Sequence, residues 1–167
     1  MRRLAAAAGS ALFFAAAPGT VAGLIPWWLT GWRARGALTD WAPVRLAGLV
    51  VLGLAVITLA GLFARFVAEG RGTPAPVAPA QRLVIGGLYR YVRNPMYLAV
   101  AGCIGGQALV LGQPVLLGYA ALVWAVTAAF ARWYEEPALA RQFGASYQAY
   151  RRNVRAWWPR ARPWRPG

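Results

Sequence analysis

The chain has 167 residues, 59% of them hydrophobic, a mean hydropathy of +0.44 and only 13% charged residues. An ordinary globular domain is about 45–50% apolar, so this composition excludes the common soluble classes and points to an integral membrane protein. The single cysteine, Cys103, rules out a disulfide framework, and with no histidine in the chain no metal site is expected.

The 18 basic residues are all arginine, against four acids, for a net charge of +14. A charge of that size can mark a nucleic-acid binder. Here, however, the arginines flank apolar segments, where they set topology and meet anionic headgroups. No nucleic-acid partner is expected. Abundant Ala, Gly, Pro and Arg with no lysine reflects GC-rich coding, which points to a bacterial inner membrane.

Crossing a hydrocarbon core of about 30 Å takes roughly 20 helical residues, and about four segments qualify or come close. The first covers residues 4–29 and is interrupted at Pro18-Gly19. Its basic start and small residues also fit a cleaved signal peptide. Against that, its apolar character continues into Trp27-Trp28, which reads as an interfacial anchor. The second span, residues 46–66, is the cleanest.

A long loop follows. Pro74, Pro76 and Pro79 keep its first part extended. Gly86-Gly87 permits a tight turn or a close approach of backbone to a ligand. Asn94-Pro95 reads as a helix start, with asparagine as the cap and proline in the first turn. Arg90 and Arg93 beside that helix start suit a carboxylate or phosphate; alternatively, they only hold the loop at the headgroups.

Residues 96–111 and 114–131 form the third and fourth spans, joined by Gly112-Gln113 alone. So short a connection requires a tight antiparallel hairpin. Ala99, Ala101, Gly102, Gly105 and Gly106 make the third span small-sided. The Gly102-x-x-x-Gly106 spacing predicts close helix packing, with a groove for an elongated ligand as the alternative.

Glu135-Glu136 closes the fourth span, where acids oppose the helix dipole and are costly near a membrane. The pair needs either arginines such as Arg132 or Arg141 or a cationic ligand. The hairpin should bring it to the same end of the bundle as residues 94–97. After Pro137, residues 138–158 read as an amphipathic cytoplasmic helix with Leu139, Phe143, Tyr147 and Tyr150 on one stripe. Its arginines and Trp157-Trp158 suit the membrane surface; it could also cover the cavity at the hairpin's end.

The predicted fold is therefore an all-α membrane protein of about four transmembrane helices, including the C-terminal hairpin, plus the amphipathic helix. Residues 1–167 form one domain, with two spans in 1–69 and the loop, hairpin and last helix in 70–159. Arg33, Arg35 and Arg45 fall on one side of the bundle and the other fifteen arginines on the opposite side. The positive-inside rule then places both termini and the polar loop in the cytoplasm.

These residues resemble the integral-membrane S-adenosylmethionine-dependent methyltransferases, the isoprenylcysteine carboxyl methyltransferases and phospholipid N-methyltransferases among them. The resemblance spans residues 70–159. It rests on Gly87-Leu88-Tyr89-Arg90-Tyr91-Val92-Arg93-Asn94-Pro95-Met96-Tyr97, on Glu135-Glu136-x-x-Leu139, on Phe143-Gly144-x-x-Tyr147-x-x-Tyr150, and on Val154 followed by Pro159. It implies S-adenosylmethionine as cofactor, held by Tyr89, Arg90, Val92, Arg93, Asn94, Pro95, Tyr97, Leu98, Glu135 and Glu136, with Arg93 and Glu136 the catalytic candidates. It also implies a lipophilic acceptor, either an isoprenylcysteine-like carboxylate or other isoprenoid or lipid, or a phospholipid amine. Many members carry histidine where this chain has Asn94, which cannot act as a base. A carboxylate acceptor needs none; an amine acceptor would have to pass its proton to a glutamate. A non-enzymatic scaffold or small transporter is the competing class.

Overall fold

A computed structural model describes residues 16–35, 41–69 and 83–165, with side chains for all of these except 66–69. Among the described residues it contains helices and no strands, as an all-α membrane protein requires. Residues 4–15 of the first expected span, and the prolines at 74, 76 and 79, lie outside the described residues.

Helix α1 covers residues 16–30 and is not uniform: a π-helical turn, Thr20–Leu24, leads into an α-helical segment, Ile25–Thr30. Two neighbouring carbonyls are freed as a result. The Ile25 N–H donates to Thr20 O, one residue further back than an α-helix would send it, which releases Val21 O. Pro26 has no N–H to give Ala22 O. Both carbonyls are taken up by the hairpin: Tyr119 Oη donates to Val21 O at 3.0 Å and Gln107 Nε2 to Ala22 O at 2.7 Å.

Helix α2 runs Ala42–Glu69, 28 residues or about 42 Å, of which residues 42–65 are apolar enough to cross a membrane. Helices α3 (Pro95–Leu111) and α4 (Pro114–Phe130) form the expected hairpin. Gly112 turns it with φ +62°, and the Gln113 N–H donates back to Ala108 O at 3.0 Å. The small residues of α3 pack on α2. A Cβ on Gly106 would meet the backbone N of Leu52 at 2.7 Å, and one on Gly102 would meet Ala55 Cβ at 3.1 Å. Close packing, not a groove, explains that spacing. Ile104 and Leu116 are fully buried between the helices, while Leu49, Val50 and Ile57 of α2 and Leu117, Leu122 and Val126 of α4 are exposed, as lipid-facing side chains would be.

The helix of the fourth span runs on past Pro137. A π-helical turn, Ala131–Glu135, carries α4 into α5, Glu136–Asn153, and the helical path runs on over 40 residues with a kink at Gly144. Up to that kink, residues 114–143 extend about 45 Å, well beyond the roughly 30 Å hydrocarbon core, so only the apolar part, α4, is read as spanning. The π turn also suits Pro137, whose missing N–H would otherwise belong to Trp133 O.

Within α5, Gly144 has φ +50° and ψ −124°, and this kink lets the second half fold onto the loop. Tyr147, Tyr150 and Val154 are buried there with Leu83, Ile85, Leu139 and Phe143 around them. The amphipathic stripe thus covers the loop and is not laid on the bilayer. The helix is also shorter than the 138–158 expected. It ends at Asn153, where Val154 turns extended (φ −119°, ψ 124°), because the next residues offer their backbone to the loop. Nothing lies within 4 Å of a Cβ added to Gly144, so Gly144→Ala is a pure test of backbone strain. It is expected to cost about 1–3 kcal/mol, seen as a lower melting temperature in detergent.

Candidate functional site

The loop owes its shape to its own glycines. Gly87 has φ +57°, and a Cβ on Gly86 or Gly87 would come within 2.7 Å of Arg65 Nη1, so the glycines let the turn close on that guanidinium. A short 3₁₀ turn, Gly87–Arg90, follows, and Pro95 opens α3. Asn94 occupies the cap position, but its side chain makes no capping hydrogen bond, contrary to expectation. Its backbone is used instead: its N–H donates to Ala156 O at 3.2 Å and its carbonyl accepts from Leu98 N at 3.3 Å.

The hairpin brings Arg93 and the acidic pair together, as the sequence predicts. Arg93 Nη1 lies 3.0 Å from Glu136 Oε1 and donates to Tyr147 Oη at 3.2 Å. Glu136 is only 9% exposed, and its Oε2 lies 3.4 Å from Arg151 Nη2 and 3.9 Å from Arg132 Nη1. Of the arginines proposed to compensate it, Arg132 contributes at long range, while Arg141 makes none of these contacts; Arg151 takes that place. Glu135 points elsewhere. It accepts a 2.6 Å hydrogen bond from Tyr97 Oη.

The cluster is a knot of aromatic hydroxyls and charges. Tyr150 Oη donates to Tyr89 O at 2.7 Å. Burial pushes the phenols of Tyr89 and Tyr150 above the ordinary tyrosine range, and for Tyr89 the nearby Glu135 adds to the effect. Burial also raises the Glu135 carboxyl, opposed by the Tyr97 hydrogen bond. Among the described residues, two buried side-chain atoms lack hydrogen-bond partners: Arg93 Nε and Glu136 Oε2. Leaving one such group unsatisfied costs about 1–3 kcal/mol. Arg93 Nε is thus a buried donor still without an acceptor, while Glu136 Oε2 is already ion-paired with Arg151 and Arg132.

Not every expected residue joins this cluster. Arg90 Nε donates to Trp164 O at 2.8 Å and serves the tail. Val92, Pro95 and Leu98 line a separate cavity of about 430 Å³ with Thr58, Tyr91 and Pro159. Its wall is largely apolar and suits hydrocarbon. Conversely, the contribution of Arg151 was not foreseen. Its spacing of four residues from Tyr147, which puts both on one face of α5, was the signal that pointed to it.

The phospholipid methyltransferase family model matches residues 44–146. The chain belongs to the phospholipid methyltransferase family. It is therefore a membrane methyltransferase, with lipid as the class of target that a phospholipid methyltransferase implies. No curated protein and no solved structure matches it significantly. Phospholipid methyltransferases generally use S-adenosylmethionine, and the residues present fit such a group: Arg93 Nε, buried without a hydrogen-bond partner, suits a carboxylate, and Glu135, held by the Tyr97 hydroxyl and by no arginine among the described residues, suits an ammonium or hydroxyl donor. Tyr147, Tyr150 and Arg151 complete this end of the bundle from beyond the matched residues.

Proposed function

We propose that the chain transfers a methyl group from S-adenosylmethionine to a lipophilic acceptor at the cytoplasmic face of a bacterial inner membrane. The observation that carries this reading is the buried Arg93–Glu136 pair, in which Arg93 Nε is left without a hydrogen-bond partner. Bound there, S-adenosylmethionine supplies an activated methyl group. Arg93 holds the cofactor's carboxylate and Glu136 or Glu135 its ammonium or ribose hydroxyls. Tyr89 and Tyr97 offer ring faces, and Arg90, Val92, Asn94, Pro95 and Leu98 form the surrounding wall. The proline-opened start of α3 and the packed rings position the reactants and exclude water, which can supply much of the rate. The side chains of the apolar cavity are suited to the acceptor's chain. The excess of arginine on the loop and tail side supports cytoplasmic termini and contact with anionic headgroups.

Two acceptor chemistries fit. An isoprenylcysteine-like carboxylate needs no base. A phospholipid amine must lose a proton, and Glu135, whose carboxyl burial raises, is a proton acceptor for that step. Titration of detergent-purified protein with S-adenosylmethionine and S-adenosylhomocysteine tests the reading. Saturable binding of both is the expected result; binding of neither overturns the enzyme in favour of a scaffold or transporter.

The same titration carries a pH signature. Contact with a cationic group needs Glu135 ionised, so affinity is retained above its carboxyl pKa and lost as pH falls through it. Because burial raises that pKa, the loss begins at higher pH than for an ordinary glutamate. Tyr97→Phe removes the hydrogen bond that lowers the pKa and is expected to move the midpoint higher still. A midpoint unchanged by Tyr97→Phe would remove Glu135 from the binding role.

A further inference from the structure

Residues 154–165 follow the matched family segment and run back along the loop in fixed register. The Arg93 N–H donates to Arg155 O at 2.9 Å and the Asn94 N–H to Ala156 O at 3.2 Å. Further along, the Arg160 N–H donates to Tyr91 O and the Trp164 N–H to Arg90 O, both at 3.0 Å. Trp157 sits between these two pinned stretches, and its neighbours settle which way it faces. Its ring centroid lies 6.4 Å from that of Tyr97 with 29° between the planes, and Trp124 meets it edge-on at 5.8 Å and 70°. The adjacent Trp158 is 75% exposed.

The charges at this end divide unevenly. Arg93, Arg132 and Arg151 all address Glu136. Among the described residues no arginine pairs with Glu135, whose carboxylate is held by the phenol of Tyr97. A largely buried carboxylate without a cation, set beside the ring that Trp157 stacks on, is chemistry for a cation that brings few hydrogen-bond donors. Sulfonium and methylated ammonium groups are such cations, and aromatic faces attract them.

We infer that Trp157 is a binding residue for the onium centre handled at this site, sharing it with Tyr97 and Glu135. The inference rests on the methyl-transfer reading of the site and leaves two sources of onium: the cofactor's sulfonium or the acceptor's ammonium. S-adenosylhomocysteine lacks the sulfonium charge, so comparing it with S-adenosylmethionine isolates that charge.

The test uses the full chain in detergent as wild type, Trp157→Leu, Trp157→Phe and Trp158→Leu, each checked by thermal melting. Dissociation constants are measured for both sulfur compounds, and for tetramethylammonium with S-adenosylhomocysteine already bound. If the sulfonium is the ligand, Trp157→Leu weakens S-adenosylmethionine about 5- to 30-fold and leaves S-adenosylhomocysteine unchanged. If the acceptor's ammonium is the ligand, only tetramethylammonium weakens. In either case Trp157→Phe, which keeps a smaller ring and the fold, gives a partial loss of the same kind, and Trp158→Leu gives none. Losses that are equal for charged and uncharged ligands, or no loss at all, overturn the inference and leave the enzyme reading intact. A wild type that binds neither sulfur compound overturns both.

Discussion

Arg93→Ala is expected to abolish cofactor binding and to destabilise the protein, and a second substitution can separate the two effects. The stability loss comes from Glu136, which would keep its burial and lose its 3.0 Å partner. Breaking a buried ion pair from one side typically costs about 3–5 kcal/mol. Here the lower end applies, because Arg151 and Arg132 remain within 3.9 Å of the other oxygen. Arg93→Met combined with Glu136→Gln removes both charges with little change of volume and is expected to recover most of that stability. It should not recover binding, since the groups proposed for the cofactor's carboxylate and ammonium are both changed. A loss of about 100-fold or more is expected for the single and the double variant alike. Melting curves and S-adenosylmethionine titrations on the same preparations decide it. A double variant that binds like wild type would reduce the pair to a structural strut.

The second large effect is expected where α2 crosses α3. Gly105 and Gly106 are sequence neighbours with opposite surroundings. A Cβ on Gly106 would sit 2.7 Å from Leu52 N and 2.9 Å from Leu52 Cα, both backbone atoms, whereas nothing lies within 4 Å of one on Gly105. Side chains can rotate away from an intruding methyl; a neighbouring helix backbone cannot. Gly106→Ala must therefore push the helices apart, at about 1–3 kcal/mol, while Gly105→Ala should stay within about 0.5 kcal/mol of wild type. Equal melting temperatures for the two variants would remove the close helix contact from the account.

Several features are legible in the sequence because local chemistry dictates them. Gly112-Gln113 is too short for anything but a hairpin, and glycine supplies the left-handed turn it needs. Pro95 can open a helix but not continue one. From these two facts Arg93 and Glu136 had to meet at one end. What the sequence hides depends on partners distant in the chain. Nothing local signals that the carbonyls of Val21 and Ala22 will be claimed by Tyr119 and Gln107, so the π turn in α1 could not be anticipated. Asn94 looks like a cap, but the tail engages its backbone while its side chain caps nothing. The apolar stripe of α5 is legible as a stripe; whether it meets lipid or protein is not, because Leu83 and Ile85 provide the same kind of surface as a bilayer.

The freed carbonyls of α1 also bear on how the molecule assembles. Inside hydrocarbon an unpaired carbonyl has no water to turn to and costs several kcal/mol. The two donors that satisfy this pair come from different arms of the hairpin, Gln107 on α3 and Tyr119 on α4. Neither arm alone presents both. Although α1 precedes the hairpin in the chain, its docking must await the closing of α3 on α4. Once engaged, it is locked against sliding, since a shift of one residue would strand both oxygens. A helix made before the hairpin is thus seated after it.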